Sequence, residues 1–448
     1  MFKRNILNLL DKWKKADKRK PIIIRGARQT GKTAAVEMFA KSFSNYIYLN
    51  LEKDADKQLF EKGRDLEDII QAIELSKKKI LKEKDTLLFI DEIQNSQQAL
   101  QMLRYFYEDY PNIYVIAAGS LLEAVMKREG FSFPVGRVSF LYLYPVTFDE
   151  FLSAIGEDKL LEHLKNITLS SPPSHIIHEI ALKIFHHYIL VGGMPEVVAK
   201  YAEKRTFLPL AKIKEELIES FEEDITKYAT TAESKYVKHV LRFAPNYVGE
   251  RIKYENFANG GHKSREMKRA FDLLEYAMII NRVYGNTETS PPIKPNFNVA
   301  PKLLFLDSGL VAHKLGLTEN EIYIKDLNNL FRGAIAEQIA GQAFYSTELE
   351  KKITPCFWYR NAPGSTAETD YVFQHNNYLI PVEVKSGKSG RLRSLHQFML
   401  ASPNDTAVRL YSGELTEEKV FLEKKKYRLI SVPLYLQWRL KELLQTVK

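Results

Sequence analysis

Cysteine is nearly missing: Cys356 stands alone in 448 residues. With no partner for an internal disulfide, the chain is not a disulfide-stapled scaffold, and the cytoplasm is its expected compartment. Also missing is any apolar run of the roughly 20 residues that a membrane-spanning helix requires, because the longest such stretches end quickly in charge. The start MFKRNILNLLDKW has no long apolar core followed by a small-residue cleavage site. A membrane partner is therefore not expected. Internal repeats and long low-complexity segments are absent as well. Neither charge sign dominates: 65 Lys and Arg stand against 56 Asp and Glu, a formal +9. That mild basic excess favours contact with nucleic acid or another polyanion, and it equally suits a merely soluble surface.

What is present is an ordinary globular composition, 45% hydrophobic and 27% charged. A length of 448 residues exceeds what one core usually supports, so two to four domains are expected. Over the first 150 residues short apolar runs alternate with amphipathic helices, the pattern of an α/β fold with a parallel sheet wrapped by helices. Strands are expected at 21–25, 46–50, 86–91, 113–119 and about 139–144. Beyond Phe151 helical patterns dominate to about 230, broken by the loop-like Ser170, Ser171, Pro172 and Pro173. Between 250 and 285 come a short helix in YENFANG, a break at Gly260 and Gly261, and a helix carrying Met267, Phe271, Leu274 and Met278 on one stripe. With the strand and turn that follow, this is similar to a winged helix-turn-helix. After Pro295 a strand-like LLFLD, a helix over 331–345, several strands and a closing helix at 434–446 read as a separate mixed α/β domain. The expected units are 1–150, 151–230, 231–295 and 296–448.

The segment IIIRGARQTGKTAAVEMFAKSF places G-x-x-x-x-G-K-T between an apolar strand and a helix whose Val36, Phe39, Ala40 and Phe43 share one face. Along Gly26, Ala27, Arg28, Gln29, Thr30 and Gly31 the backbone is expected to wrap phosphates against the helix N-terminus, with Lys32 reaching the β- and γ-phosphates. The Thr33 hydroxyl would bind Mg²⁺, which needs a carboxylate at the end of a buried strand. TLLFIDE supplies Asp91 for the metal shell and Glu92 to orient and deprotonate the attacking water. ATP and Mg²⁺ are thus the expected ligands. Ser120, ending YVIAAGS, is either a γ-phosphate sensor on the adjacent strand or a helix cap. Arg137, in PVGRVSF, is either an arginine finger, in its own subunit or a neighbour's within a homo-oligomer, or a solvated arginine.

In this order, GARQTGKT, LLFIDEIQ, AAGSLL, GRVSFLYLYPVTFDEF and VGGMPEVV resemble the bacterial and archaeal AAA-superfamily ATPases that carry a C-terminal domain of unknown function. The resemblance runs across essentially the whole chain. It implies an AAA-type P-loop core, a helical lid, a winged-helix segment and a terminal domain similar to restriction-endonuclease-like folds. In that family the element of Gly192, Gly193 and Pro195 lies after the core, and no ATP role is assigned to it.

The stretch AETDYVFQHNNYLIPVEVKSGKSG sets Asp370, Glu383 and Lys385 on two strands joined by a turn, with Glu383 and Lys385 on one face and Val382 and Val384 on the other. The spacing is similar to a PD-(D/E)-x-K nuclease motif, in which two carboxylates hold Mg²⁺ and the lysine helps activate water. No proline precedes Asp370. Glu337, on a helix face opposite Ile335 and Ile339, is a further acidic candidate, and Gln397 a supporting one. Ordinary charges on a half-exposed sheet are the competing reading. His175, His178, His186 and His187 lack metal-ligand spacing and read as solvated. Lys77, Lys78, Lys79, Lys82 and Lys84 read as an exposed helix end, whereas Lys263, Arg265, Lys268 and Arg269 open the helix best placed for DNA. The expected function is Mg²⁺-dependent ATP binding and hydrolysis, acting on DNA with a nuclease-like C-terminal domain. The alternative is a nucleotide-gated switch for a protein partner, with that domain inert.

Overall fold

The computed structural model describes residues 2–445 except 82–84, 124, 126–133, 135, 319–329, 388–391 and 424. Its N-terminal part is a sheet of β1 (Ile22–Arg25), β2 (Asn45–Asn50), β3 (Thr86–Asp91), β4 (Tyr114–Gly119) and β5 (Ser139–Tyr142), in the order β2-β3-β4-β1-β5 with every neighbouring pair parallel. Strands covered on both faces need unbroken apolar runs, and β3 is buried along its whole length. Alternation divides the core: Ile22, Ile24, Leu87 and Phe89 meet α1 (Ile6–Lys14) and α2 (Lys32–Ala40). Ile23, Leu88 and Ile90 face the other way, toward α4 (Leu66–Lys77) and α5 (Gln97–Asp109), beyond the short α3 (Asp54–Lys57). Because β4 lies between β1 and β3, the carboxyl ends of all three strands adjoin, which is where parallel sheets place their ligands.

Five helices follow: α6 (Phe148–Ala154), α7 (Asp158–Lys165), α8 (His175–Val191), α9 (Pro195–Lys204) and α10 (Leu210–Thr226). Glu150 closes a capping box with Thr147 at the start of α6, and Glu233 closes another with Thr230 at the start of α11 (Thr231–Phe243). Next come 3-10 turns, α12 (Ser264–Tyr276), and the antiparallel pair β6 (Ile280–Asn286) and β7 (Lys302–Phe305). Of the predicted stripe, Met267, Phe271 and Leu274 are fully buried on α12, whereas Met278 lies beyond the helix end in left-handed backbone (φ 59), though also buried.

The expected boundary at 295/296 falls between two paired strands. Moreover β6 pairs in parallel with β8 (Cys356–Tyr359), so the hairpin joins β9 (Glu368–His375), β10 (Tyr378–Val384), β11 (Thr406–Tyr411), β12 (Thr416–Leu422) and β13 (Lys425–Pro433) in one sheet, ordered β12-β13-β11-β10-β9-β8-β6-β7. Helices α13 (Ser308–Lys314), α14 (Leu330–Ser346) and α15 (Arg393–Ala401) accompany it, and the chain closes with 3-10 turns over Leu434–Arg439 and α16 (Leu440–Gln445). One apolar core runs from Tyr142 through the helical region to Leu444, crossing the expected boundaries at 150/151 and 230/231 without a break. No helix of the described residues is long and apolar enough to cross a membrane.

Candidate functional site

The loop leaving β1 turns at Gly26, where a Cβ would stand 2.3 Å from the Leu143 carbonyl oxygen, so only glycine fits. It enters α2 through Gly31 at φ 90, and no side chain caps the first amides of that helix. These amides and the helix dipole form an anion cradle. Lys32 is buried, and its Nζ donates to the carbonyls of Gly26 and Ala27, each at 2.9 Å. Burial lowers its pKa, against the pull of Glu92 and Asp91. The ammonium thus folds back on its own loop, at the mouth of the cradle its phosphates would fill.

Thr33 Oγ1 donates to Asp91 Oδ2 at 2.7 Å, with the Tyr48 hydroxyl 3.3 Å from the same oxygen. Burial raises the Asp91 pKa. A hydroxyl and a carboxylate side by side at a phosphate cradle are the hard oxygen donors Mg²⁺ takes, so these residues fit that ion. Glu92 follows in a left-handed backbone (φ 53), and Gln94 Nε2 donates to its Oε2 at 2.6 Å. Gln94 in turn hydrogen-bonds Tyr228, just past α10. Ser120 directly follows β4, in a small cavity shared with Arg28, Phe221 and Asp224.

Four contacts that sequence reasoning missed close over the loop. Arg28 pairs with Asp224 on α10, and Gln29 Nε2 donates to Ser220 Oγ on the same helix at 3.0 Å. Arg4 donates to the Thr30 carbonyl at 3.0 Å, to the Tyr144 carbonyl at 2.7 Å and to Glu150 at 3.0 Å. Pro195 lies against Gly31, its ring 3.4 Å from where a Cβ would be. That proline stands where it does because the Gly193 amide donates to buried Asp307 at 2.6 Å and its carbonyl accepts from Val146 at 2.7 Å. The Gly192, Gly193 and Pro195 motif was the available signal.

Arg137 requires a correction. Its Nε donates to Glu108 at 2.6 Å, and it sits at the amino end of β5, where Ser139 pairs with Ile22, whereas the P-loop leaves from Arg25, opposite Tyr142. At about 3.3 Å per residue the sheet itself separates Arg137 from the phosphate cradle of its own chain.

The C-terminal candidates do converge. Asp370 on β9, Glu383 on β10 and Glu337 on α14 gather as expected, with Lys385 Nζ 2.7 Å from Glu383 Oε1. At their centre, however, is a residue the sequence reading passed over: Lys302, 6% exposed, whose Nζ lies 2.9 Å from Glu337, 2.9 Å from Glu368 and 3.3 Å from Asp370. Burial pushes Glu337 up to about 8 and Glu383 up to about 7, and neighbouring Asp370 adds to both. The carboxylates expected to hold a metal thus lie around an ammonium group, and no three His, Cys, Asp or Glu side chains among the described residues are grouped to hold a metal ion. Gln397 lies elsewhere, accepting from Arg360 at 2.9 Å.

Among the histidines, His178 is buried and bonded to Tyr435 at 3.0 Å rather than solvated. Lys77 pairs with Asp56, and Lys82 and Lys84 lie outside the described residues. Lys263, Arg265, Lys268 and Arg269 are exposed at the start of α12.

A parallel sheet in this order, a glycine loop running into a helix, and a hydrogen-bonded pair of Thr33 at the start of that helix with Asp91 at the end of β3 define a P-loop nucleotide-binding domain. Residues 18–152 match the family described as an AAA domain. Residues 182–321 and 332–435 match two further families, each described as a domain of unknown function. Among solved structures the chain is similar to the Walker-type ATPase of Pyrococcus abyssi, with 15% identity over 70% of this chain and 96% of that one and a TM-score of 0.45. No curated protein matches.

Proposed function

We propose that the chain is a Mg²⁺-dependent ATPase of the AAA type whose helical region gates the nucleotide site and whose α12 contacts DNA. The observation that carries the reading is the placement of Glu92 directly after the Thr33–Asp91 pair, at the mouth of the P-loop. When bound, Mg²⁺ would neutralise phosphate charge between Thr33 and Asp91. Lys32 would leave the Gly26 and Ala27 carbonyls for the β- and γ-phosphates. Glu92 would accept the proton of the attacking water, held in place by Gln94, while Ser120 at the next strand end would contact the γ-phosphate. Arg137 enters this reading only through a neighbouring copy. The exposed cations of α12 support DNA as partner, through phosphate contacts. The C-terminal unit reads as a restriction-endonuclease-like fold acting as a binding module.

The test is ATP turnover by the full chain with and without DNA, beside Lys32→Ala and Glu92→Gln. DNA should raise turnover, Lys32→Ala should lose ATP binding, and Glu92→Gln should bind ATP yet turn over at least about 100-fold more slowly. Turnover indifferent to DNA would favour the second reading, a nucleotide-gated switch for a protein partner, for which the Arg28–Asp224 latch speaks. No turnover by the wild type would end the ATPase reading.

A further inference from the structure

Lys302 presents three N–H donors and meets three carboxylates, Glu337, Glu368 and Asp370, at 2.9, 2.9 and 3.3 Å. Its backbone is fixed on both sides, paired with Val283 across the β6–β7 hairpin and bridged to Arg251. The side chain therefore enters the cluster from a backbone position held by the sheet. The other oxygens around it are mostly engaged: Glu368 Oε2 by Arg251 at 2.6 Å, Asp370 Oδ2 by the Val384 amide at 2.7 Å, and Glu383 Oε1 by Lys385 at 2.7 Å. Glu383 Oε2 is buried and has no hydrogen-bond partner among the described residues. A divalent ion of Mg²⁺ size needs near-octahedral oxygens at about 2.0–2.1 Å, and the point where these carboxylates could offer them belongs to Nζ. Two cations at that point would repel strongly in so buried a setting.

We infer that Lys302 is the resident cation of this cluster, standing where a nuclease with this carboxylate-and-lysine spacing holds its metal, so that the C-terminal unit takes up no divalent ion there. Three of the carboxylates come from the C-terminal strands and the fourth, Glu337, from α14; of the three cations that bind them, Lys385 follows β10, whereas Lys302 and Arg251 come from the hairpin and the segment before α12. The cluster is thus an ion network that fastens the hairpin to the C-terminal strands. The inference is independent of the ATPase reading.

Mn²⁺ titration followed by electron paramagnetic resonance tests it on the nucleotide-free full chain carrying Asp91→Asn, which removes the P-loop carboxylate from the count. That chain should bind no stoichiometric Mn²⁺. Adding Lys302→Met should create one Mn²⁺ site per chain, lost again when Asp370→Asn is added. The inference is overturned if the Asp91→Asn chain already binds one Mn²⁺ that Asp370→Asn abolishes, or if a folded Lys302→Met chain, checked by circular dichroism, binds none. Should Lys302→Met fail to fold, the titration of the Asp91→Asn chain and its Asp370→Asn partner decides alone.

Discussion

Glu92 is held by little besides one neighbour. Its backbone is left-handed and its carboxylate accepts from Gln94 Nε2 at 2.6 Å. Gln94 itself is buried against Gly119, whose Cβ, if it had one, would lie 2.5 Å from Gln94 Oε1. In the proposed mechanism Gln94 therefore positions the proton acceptor through this hydrogen bond. A positioned base contributes about 10²–10⁴-fold to a rate, so Gln94→Ala should lower kcat for ATP at least about tenfold while KM stays nearly unchanged; a steady-state comparison separates the two, and a rise in KM alone would contradict the positioning role. The P-loop residues were legible because glycine, lysine and threonine at that spacing have one purpose after an apolar strand. Gln94 was not, because a glutamine two residues past an acidic strand end carries no signal until its amide is seen to reach back.

At the scale of elements, α10 packs over the loop. Asp224 holds Arg28, and Ser220 holds Gln29, so the tip of the P-loop is tied to a helix about two hundred residues later in the chain. Asp224 also adds negative charge beside the phosphate cradle, where it acts on Lys32. Removing it both frees the loop and relieves repulsion toward phosphate. Asp224→Ala should therefore tighten ATP binding several-fold, measured by titration with a fluorescent ATP analogue; unchanged or weaker binding would show that the latch supports the bound state instead. The periodicity of α12 was readable because a stripe at helical spacing needs only local geometry. The partner of α10 was not readable, since an amphipathic helix states which face it buries and not what it buries it against.

At the scale of the molecule, one core joins the ATP-binding sheet, the helical region and the C-terminal sheet. The edge strand β5 is tied to the C-terminal part through the Tyr142 amide and the Leu349 carbonyl at 2.7 Å, and Tyr144 packs on Tyr345 at 5.0 Å between ring centres. The carboxylate cluster lies inside this joined body and sets a pH dependence. A carboxyl whose pKa is higher folded than unfolded binds protons preferentially in the fold, so its stabilising contribution is complete below the unfolded value and fades as pH rises through the folded one. For Glu337, raised from 4.5 to about 8 chiefly by burial, the loss falls between those values, while Lys302, raised well above its ordinary value, keeps its charge throughout. Melting temperature should accordingly fall from pH 6 to pH 9 more in the wild type than in Glu337→Gln, as thermal scans would register; parallel curves would refute the shift. By itself the sequence determined the strands, the P-loop, the Asp91 and Glu92 strand end, and the pairing of Asp370 with Glu383 through a tight turn. All of these depend on residues close together along the chain, where period and turn chemistry act. Only the tertiary structure decided that Arg137 lies at the far end of the sheet, that Arg4 and Asp224 clamp the phosphate loop, and that Lys302 fills the carboxylate cluster. These contacts join segments between 26 and 196 residues apart, and which distant charge reaches which is settled by how the helices and strands pack, a quantity that no local pattern encodes.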